Sequence, residues 1–257
     1  MTTVRLPLFP LNSVLFPGLV LPLNVFEERY RAMMRDLLKT SSGGSEASAD
    51  PDEPRRFAVV AIRDGHEVAP SAPGMPDQAA KTAAEAGPAA GFGDDPVKAL
   101  HTVGCIADAA TIRERADGSF EVLATGTTRV KIHSVDASGA YLTAEVEELP
   151  EEPGDEAGAL AEGVLRAFRS YQKRLAGARE RTLATGAELP DDPSVVSYLV
   201  AAAAVLDVPT KQRLLQAPDT ASRLRDELKL LRSETAIIRN LPSLPAGDLT
   251  RQATSLN

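Results

Sequence analysis

Val4-Arg5-Leu6-Pro7-Leu8-Phe9-Pro10-Leu11-Asn12-Ser13-Val14-Leu15-Phe16-Pro17-Gly18-Leu19-Val20-Leu21-Pro22-Leu23-Asn24-Val25 is the stretch that decides how this chain folds. It is almost wholly apolar, yet four prolines in 22 residues rule out a helix. Each proline lacks an N–H donor, and its ring clashes with the preceding helical turn. Two short extended pieces remain, about 4–9 and 19–25, with Phe16-Pro17-Gly18 as the bend between them. Proline suits the second position of such a turn and glycine the third, where positive φ is often required. Prolines inside strands point to sheet edges or bulges.

Moving outward, residues 26–38 change to helical spacing. Phe26, Tyr30, Met33 and Leu37 form one stripe that reads as core packing. Residues 40–54 are rich in Ser, Gly, Asp and Pro and read as a flexible loop. Residues 57–62 are a short apolar run that reads as a buried strand. The segment 69–96 holds nine alanines, five prolines and four glycines, with almost nothing large to bury. It reads as a poorly ordered insertion, of a kind that costs little because closure entropy grows slowly with loop length.

Residues 101–148 carry the clearest strand signals. The run 102–112 is rich in small and β-branched residues, and Asp117-Gly118 is a hairpin turn. Strand character resumes over 120–124, breaks at Gly126 and returns over 129–135. After Ser138-Gly139 a last strand covers 141–146. After Pro150 the period becomes helical: Leu160, Val164, Phe168, Tyr171 and Leu175 recur at steps of three and four. Asp192-Pro193 opens a second helix, a short helical turn covers about 210–216, and Pro218-Asp219-Thr220 caps a last helix. A block of strands followed by a block of helices gives an α+β pattern or two subdomains, with the many short strands forming a small antiparallel barrel or a folded sheet. The expected domains are 1–150, with flexible insertions at about 40–55 and 69–96, then 151–245, with a tail over 246–257.

The 257 residues carry a formal charge of −8, with 43% hydrophobic and 25% charged residues. The acidic balance weighs against a general nucleic-acid binder, which needs a basic face. Cys105 is the only cysteine, so it forms no internal disulfide and nothing marks the chain as secreted. The apolar stretch 14–26 is shorter than a membrane span and broken by prolines, and no export signal is visible, so a cytoplasmic protein is expected.

Catalytic and metal signals are sparse. His66, His101 and His133 have no ligand spacing, so no metal is expected. No phosphate-binding loop, dinucleotide fingerprint or nucleophile elbow is present, and no cofactor is implied. Ser170-Tyr171-Gln172-Lys173 matches a Ser-x-x-Lys pattern but lacks its companion motifs, so no catalytic residue is assigned. The acidic run 145–156 reads as a solvated connector. Arg113, Arg115, Arg129 and Lys131 form a modest basic group on the hairpin strands.

The blocks 6–11, 15–18 and Leu21-Pro22-Leu23-Asn24-Val25-Phe26-Glu27-Glu28-Arg29-Tyr30 resemble the start of the Lon substrate-binding domain family. Val103-Gly104-Cys105-Ile106-Ala107, Asp117-Gly118-Ser119-Phe120 and 124–130 are similar to its following strands, and 207–215 and 223–231 to its helical tail. The resemblance implies a PUA-like pseudobarrel followed by helices. It also implies a role in capturing unfolded polypeptides. After Leu241 only 16 residues remain, so the ATPase and serine–lysine protease parts of Lon, and proteolysis with them, are not carried over.

The expectation is a non-enzymatic module that holds exposed hydrophobic segments. It would act as an adaptor in protein quality control, and a separate ATP-dependent protease or chaperone is the expected recipient. Candidate contacts are Phe16 and Leu19 in the turn and Met34 and Leu38 on the first helix. Two alternatives stand beside it. One is RNA binding through Arg113, Arg115, Arg129 and Lys131, which the charge balance disfavours. The other is an unrecognised hydrolase using Ser170 and Lys173.

Overall fold

The computed structural model describes residues 3–40, 55–63, 87–92, 95–179 and 190–240. The insertion expected at 40–55 lies almost wholly outside them, as do most of the one at 69–96 and the tail over 246–257. The chain forms two compact units. One comprises 1–151 with 202–216, the other 152–201 with 217–257. Residues 202–216, which the sequence reading groups with the helical bundle, thus cluster with the sheet.

The first unit is built on six strands in the order β2-β5-β4-β3-β1-β6, and β5 also pairs with β6. They are β1 (Thr3–Leu11), β2 (Val20–Val25), β3 (Arg56–Ala61), β4 (Val103–Glu114), β5 (Phe120–Asp136) and β6 (Thr143–Glu148). The β5–β6 pairing closes the sheet into a barrel and leaves β2 as an appended edge. All pairings are antiparallel except β1–β3, which is parallel.

Register explains the prolines. Residues 3–7 of β1 pair with β6 and residues 8–11 with β3, so neither half is laddered on both sides. Pro22 sits in β2, whose only strand partner among the described residues is β5. The bend is a turn in which the Leu19 N–H donates to the Phe16 carbonyl at 3.2 Å, with Gly18 at φ +78°. That positive φ at the third position is why glycine stands there.

Gly126 does not end a strand, as the sequence suggested; β5 runs straight through it. A Cβ at Gly126 would lie 2.5 Å from the Phe16 carbonyl oxygen and 3.1 Å from the Cys105 Sγ. Glycine is therefore there to let the 16–19 turn seat against the sheet. The β4–β5 register slips beside it, between Cys105 and Ala107, as a bulge does where a strand bends.

Strand β3 is buried on both faces. In β3, Phe57 and Val59 join one cluster while Ala58 and Val60 join another, which is why the run shows no alternation. Helix α1 (Glu28–Thr40) covers the first cluster with Tyr30, Met33, Met34 and Leu37. Phe9 stacks on Tyr30 at 4.3 Å. Phe26, expected on that stripe, precedes the helix and is 48% exposed.

The end of the 69–96 segment is not filler. Phe92 is buried in the second cluster, together with Ala99 and Leu100 at the short helix α2 (Pro96–Ala99). Arg29 holds the 87–92 turn: its Nη1 donates to the carbonyls of Ala90 at 2.8 Å and Pro88 at 3.3 Å. Its guanidinium lies 4.7 Å from the Tyr30 ring centroid and 5.5 Å from that of Phe92.

Helix α5 (Val208–Leu215), capped by the Asp207 carboxylate on the Thr210 N–H, completes the first unit. Gln212 Nε2 donates to the Val103 carbonyl at 2.8 Å.

The second unit packs α3 (Ala157–Arg179) against α6 (Thr220–Asn240), with α4 (Pro193–Ala203) beside them. Asp192 caps α4 by accepting from the Ser194 N–H at 2.8 Å, and Asp219 caps α6 by accepting from Ser222 at 2.7 Å. Two further N–H groups at the start of α6, from Thr220 and Ala221, donate to the carbonyls of Glu152 and Pro153. Inside this unit Arg223 is fully buried. Its Nε donates to the Ser197 Oγ at 3.0 Å, and its guanidinium lies 3.9 Å from the Tyr198 ring centroid. One helical turn on, Glu227 is also buried, and burial drives its carboxyl well above the usual carboxylate range.

Candidate functional site

The outer face of β2–β5–β4 and the edge of β2, which has no second strand partner among the described residues, form an exposed apolar surface of the first unit. Directly opposed residues of an antiparallel pair point to the same face. Leu123 lies opposite Pro22 on one side and Thr111 on the other, with Val20 opposite Thr125 and Asn24 opposite Glu121. Val20, on the edge strand, is 60% exposed, and Leu123, on β5 between β2 and β4, is 46% exposed, a large value for an apolar side chain with a strand on either side. Phe26 continues this apolar surface in sequence at the end of β2. The inward-facing set, Leu21, Leu23 and Val25, packs on the core.

The backbone of β2 has a definite polarity. Gly126 N–H donates to the Leu19 carbonyl at 2.8 Å, so Leu19 faces β5. N–H and C=O direction alternates along a strand, so Leu21, Leu23 and Val25 also face β5. Val20, Pro22 and Asn24 then present their backbone outward. Pro22 falls in the outward set, where its missing N–H costs the β2–β5 ladder nothing. The edge offers two outward N–H donors and three outward carbonyls beside exposed apolar side chains. An edge of that kind can take an added strand.

The residues proposed from sequence fall elsewhere. Phe16 and Met34 are fully buried, at 1% and 0% exposure, so their surface is already spent on core neighbours. Leu19 and Leu38 are half-buried against the same core. The basic group does not assemble. Arg113 and Arg115 sit at the hairpin tip, where Arg115 pairs with Glu121 and Arg113 lies opposite the same carboxylate. Lys131 is exposed ten residues further along β5 than Glu121, roughly 33 Å of strand path. Arg129 is buried at 3% exposure: it donates to the carbonyls of Leu215 at 3.0 Å and Pro150 at 3.1 Å, and pairs with Glu151 at 3.0 Å.

Ser170 and Lys173 are both exposed on α3, whereas an activated nucleophile needs a base aligned in an enclosed site. Cys105 is fully buried, and burial pushes its thiol up to about 12, which leaves it inert as a nucleophile. Among the described residues no group of three or more His, Cys, Asp or Glu is placed to hold a metal, and no helix is long and apolar enough to cross a membrane.

Sequence reasoning missed the β2 face because Leu19–Val25 is apolar at almost every position. Only the register with β5 separates inward from outward residues. The one local signal was Pro22, whose missing donor marks the outward parity.

A family model described as the ATP-dependent protease La (LON) substrate-binding domain matches residues 5–233. Lon protease 2 of Syntrophobacter fumaroxidans is 27% identical over 223 residues, 86% of this chain and 23% of that protein. Lon protease of Escherichia coli is 25% identical over 239 residues, 92% of this chain and 26% of that protein. The chain thus spans about a quarter of the length of these curated relatives. Among solved structures, a Lon N-terminal domain protein from Xanthomonas campestris superposes with a TM-score of 0.52 at 22% identity, covering 88% of this chain and 98% of that one. The N-terminal domain of a Mycobacterium avium complex Lon protease gives 0.53 at 20% identity, covering 91% and 98%. At these identities the likeness carries the fold.

Proposed function

Since the chain belongs to the Lon substrate-binding domain family, we propose that it is a binding module that captures extended apolar polypeptide segments along the outer edge of β2. The observation that carries this reading is the pairing of outward backbone groups on Val20, Pro22 and Asn24 with the exposed side chains of Val20 and Leu123. An unfolded segment offers what that edge lacks, a strand with free donors and acceptors and alternate apolar side chains. Backbone pairing is indifferent to sequence, so the edge selects for the unfolded state rather than for one partner. In the cell the module presents such segments to a separate ATP-dependent protease or chaperone, as an adaptor in protein quality control.

The test is binding of a fluorescent, permanently unfolded polypeptide, with its folded form as control, at low and high salt. Selective binding that survives salt is expected. Burying a Val or Leu side chain is worth about 1.5–3 kcal/mol, and roughly half of each is still exposed here. Changing Val20→Lys and Leu123→Lys together removes about 1.5–3 kcal/mol, a loss of roughly 10- to 150-fold. Both side chains face solvent, so the variant keeps its fold. Unchanged affinity in that variant, or equal binding of the folded control, sinks the proposal.

A further inference from the structure

The second unit carries a groove that the proposed capture edge does not use. It lies between α3 and α6, has a volume of about 500 Å³, and opens to solvent. Arg166 and Arg174 line it from α3 and Arg232 from α6, over a floor that includes Leu228 and Leu231. In a chain of net charge −8, α3 alone carries five basic residues and one acidic one, Glu162. Glu162 reaches Arg166 only at 3.5 Å, with both side chains at least 70% exposed. An exposed pair of that kind gives way readily to a competing carboxylate.

We propose that this groove docks an acidic, amphipathic polypeptide segment of a partner protein, at a site separate from the β2 edge. Arg166 and Arg174 are eight residues apart on one helix, about 12 Å along its axis. Carboxylates two helical turns apart on a partner helix match that spacing. Arg232 meets a third from the opposite wall, and leucine-sized side chains between them reach Leu228 and Leu231. The lining argues against RNA as the occupant, since among the described residues it holds no aromatic ring on which a base could stack. The chain's net negative charge further repels a polyanion, whereas a short peptide with three carboxylates needs only the local patch. The groove is also too large for a single phosphate.

The experiment uses the full chain and a labelled 16-residue helical peptide. Its glutamates stand at positions matching the three arginines and its leucines between them, and binding is read by fluorescence anisotropy. The wild type binds it, and added salt weakens the binding. Arg166→Glu with Arg232→Glu lowers affinity roughly tenfold or more while the circular dichroism spectrum and melting temperature stay as in the wild type. Ser170→Trp, which fills the groove from an exposed position, also blocks it. Val20→Lys with Leu123→Lys leaves it intact, so failure of this proposal and of the capture reading are told apart. The proposal is overturned if a lysine-for-glutamate peptide binds as well, if neither groove variant loses affinity, or if the peptide does not bind while single-stranded RNA or anionic vesicles do so through the same arginines.

Discussion

Replacing Arg129 by Leu separates a structural role from a nucleic-acid role in one step. The side chain is 3% exposed and serves three partners at once: the carbonyls of Leu215 and Pro150 and the carboxylate of Glu151. Hydrogen bonds from a charged donor contribute about 1.5–3 kcal/mol each, and leucine leaves both carbonyls without this donor. Glu151 is 28% exposed and regains water, so its share is the smallest of the three. The expected loss is about 3–5 kcal/mol. For a domain of this size 1 kcal/mol moves the melting temperature by about 2–4 °C, so a drop of roughly 6–20 °C follows. Arg129→Lys recovers little, because one ammonium does not span the positions a guanidinium fork reaches. Glu151→Gln costs only about 1 kcal/mol. Thermal and urea denaturation of the three variants, followed by circular dichroism, give the answer. A melting temperature unchanged in Arg129→Leu, coupled to a fall in RNA affinity, would refute this reasoning and return Arg129 to the surface.

Three further outcomes are expected. Gly126→Ala destabilises by about 1–3 kcal/mol in urea titrations, because its Cβ meets the Phe16 carbonyl at 2.5 Å; wild-type stability would mean the 16–19 turn is free to retreat. Arg29→Ala removes about 1–3 kcal/mol of local stability from the 87–92 turn, speeding amide exchange at Ala90 and Phe92 by roughly 5- to 150-fold; uniform exchange across the sheet would show that Arg29 does not hold that turn. Glu227→Gln stabilises by about 1–3 kcal/mol at alkaline pH, since neither carboxylate oxygen has a hydrogen-bond partner among the described residues. Its folded pKa is raised, chiefly by burial with Arg223 opposing, so the stability present below the ordinary carboxylate range is lost as pH rises through the folded value. The advantage of Gln therefore shrinks in acid, and a variant less stable than wild type at pH 8 would mean that Arg223 holds Glu227 as an anion.

What could be read from the sequence was what local chemistry determines. The proline-broken opening, the Asp117-Gly118 hairpin and the caps at Asp192 and Asp219 all follow from residues within a few positions of one another, and all stand in the structure. What could not be read depends on distant partners. Arg129 alternates with apolar residues as an exposed strand residue would, and its burial follows from partners met only in the fold: the carbonyls of Leu215, 86 positions away, and Pro150, and the Glu151 carboxylate. Phe92 lies in an alanine–proline tract, and only Arg29 and the second core cluster reveal why an aromatic ring is there. Phe16 and Met34 have the composition of a permissive binding surface, yet the same apolarity serves a core. Burial, which sequence does not state, decides between the two.

The interleaving of the two units also sets an order of events during synthesis. As the chain emerges N-terminus first, β1 waits for β6, whose pairing joins Thr3 to Glu147. Even then the barrel lacks α5, which follows only after α3 and α4 have been made. For those tens of residues Arg129 has neither the Leu215 carbonyl nor, before them, that of Pro150. The nascent sheet is thus least secure while its β2 edge is already exposed beside the ribosome. On the proposed reading, a chain that takes up unfolded strands passes through a stage at which the nearest unfolded strand is its own.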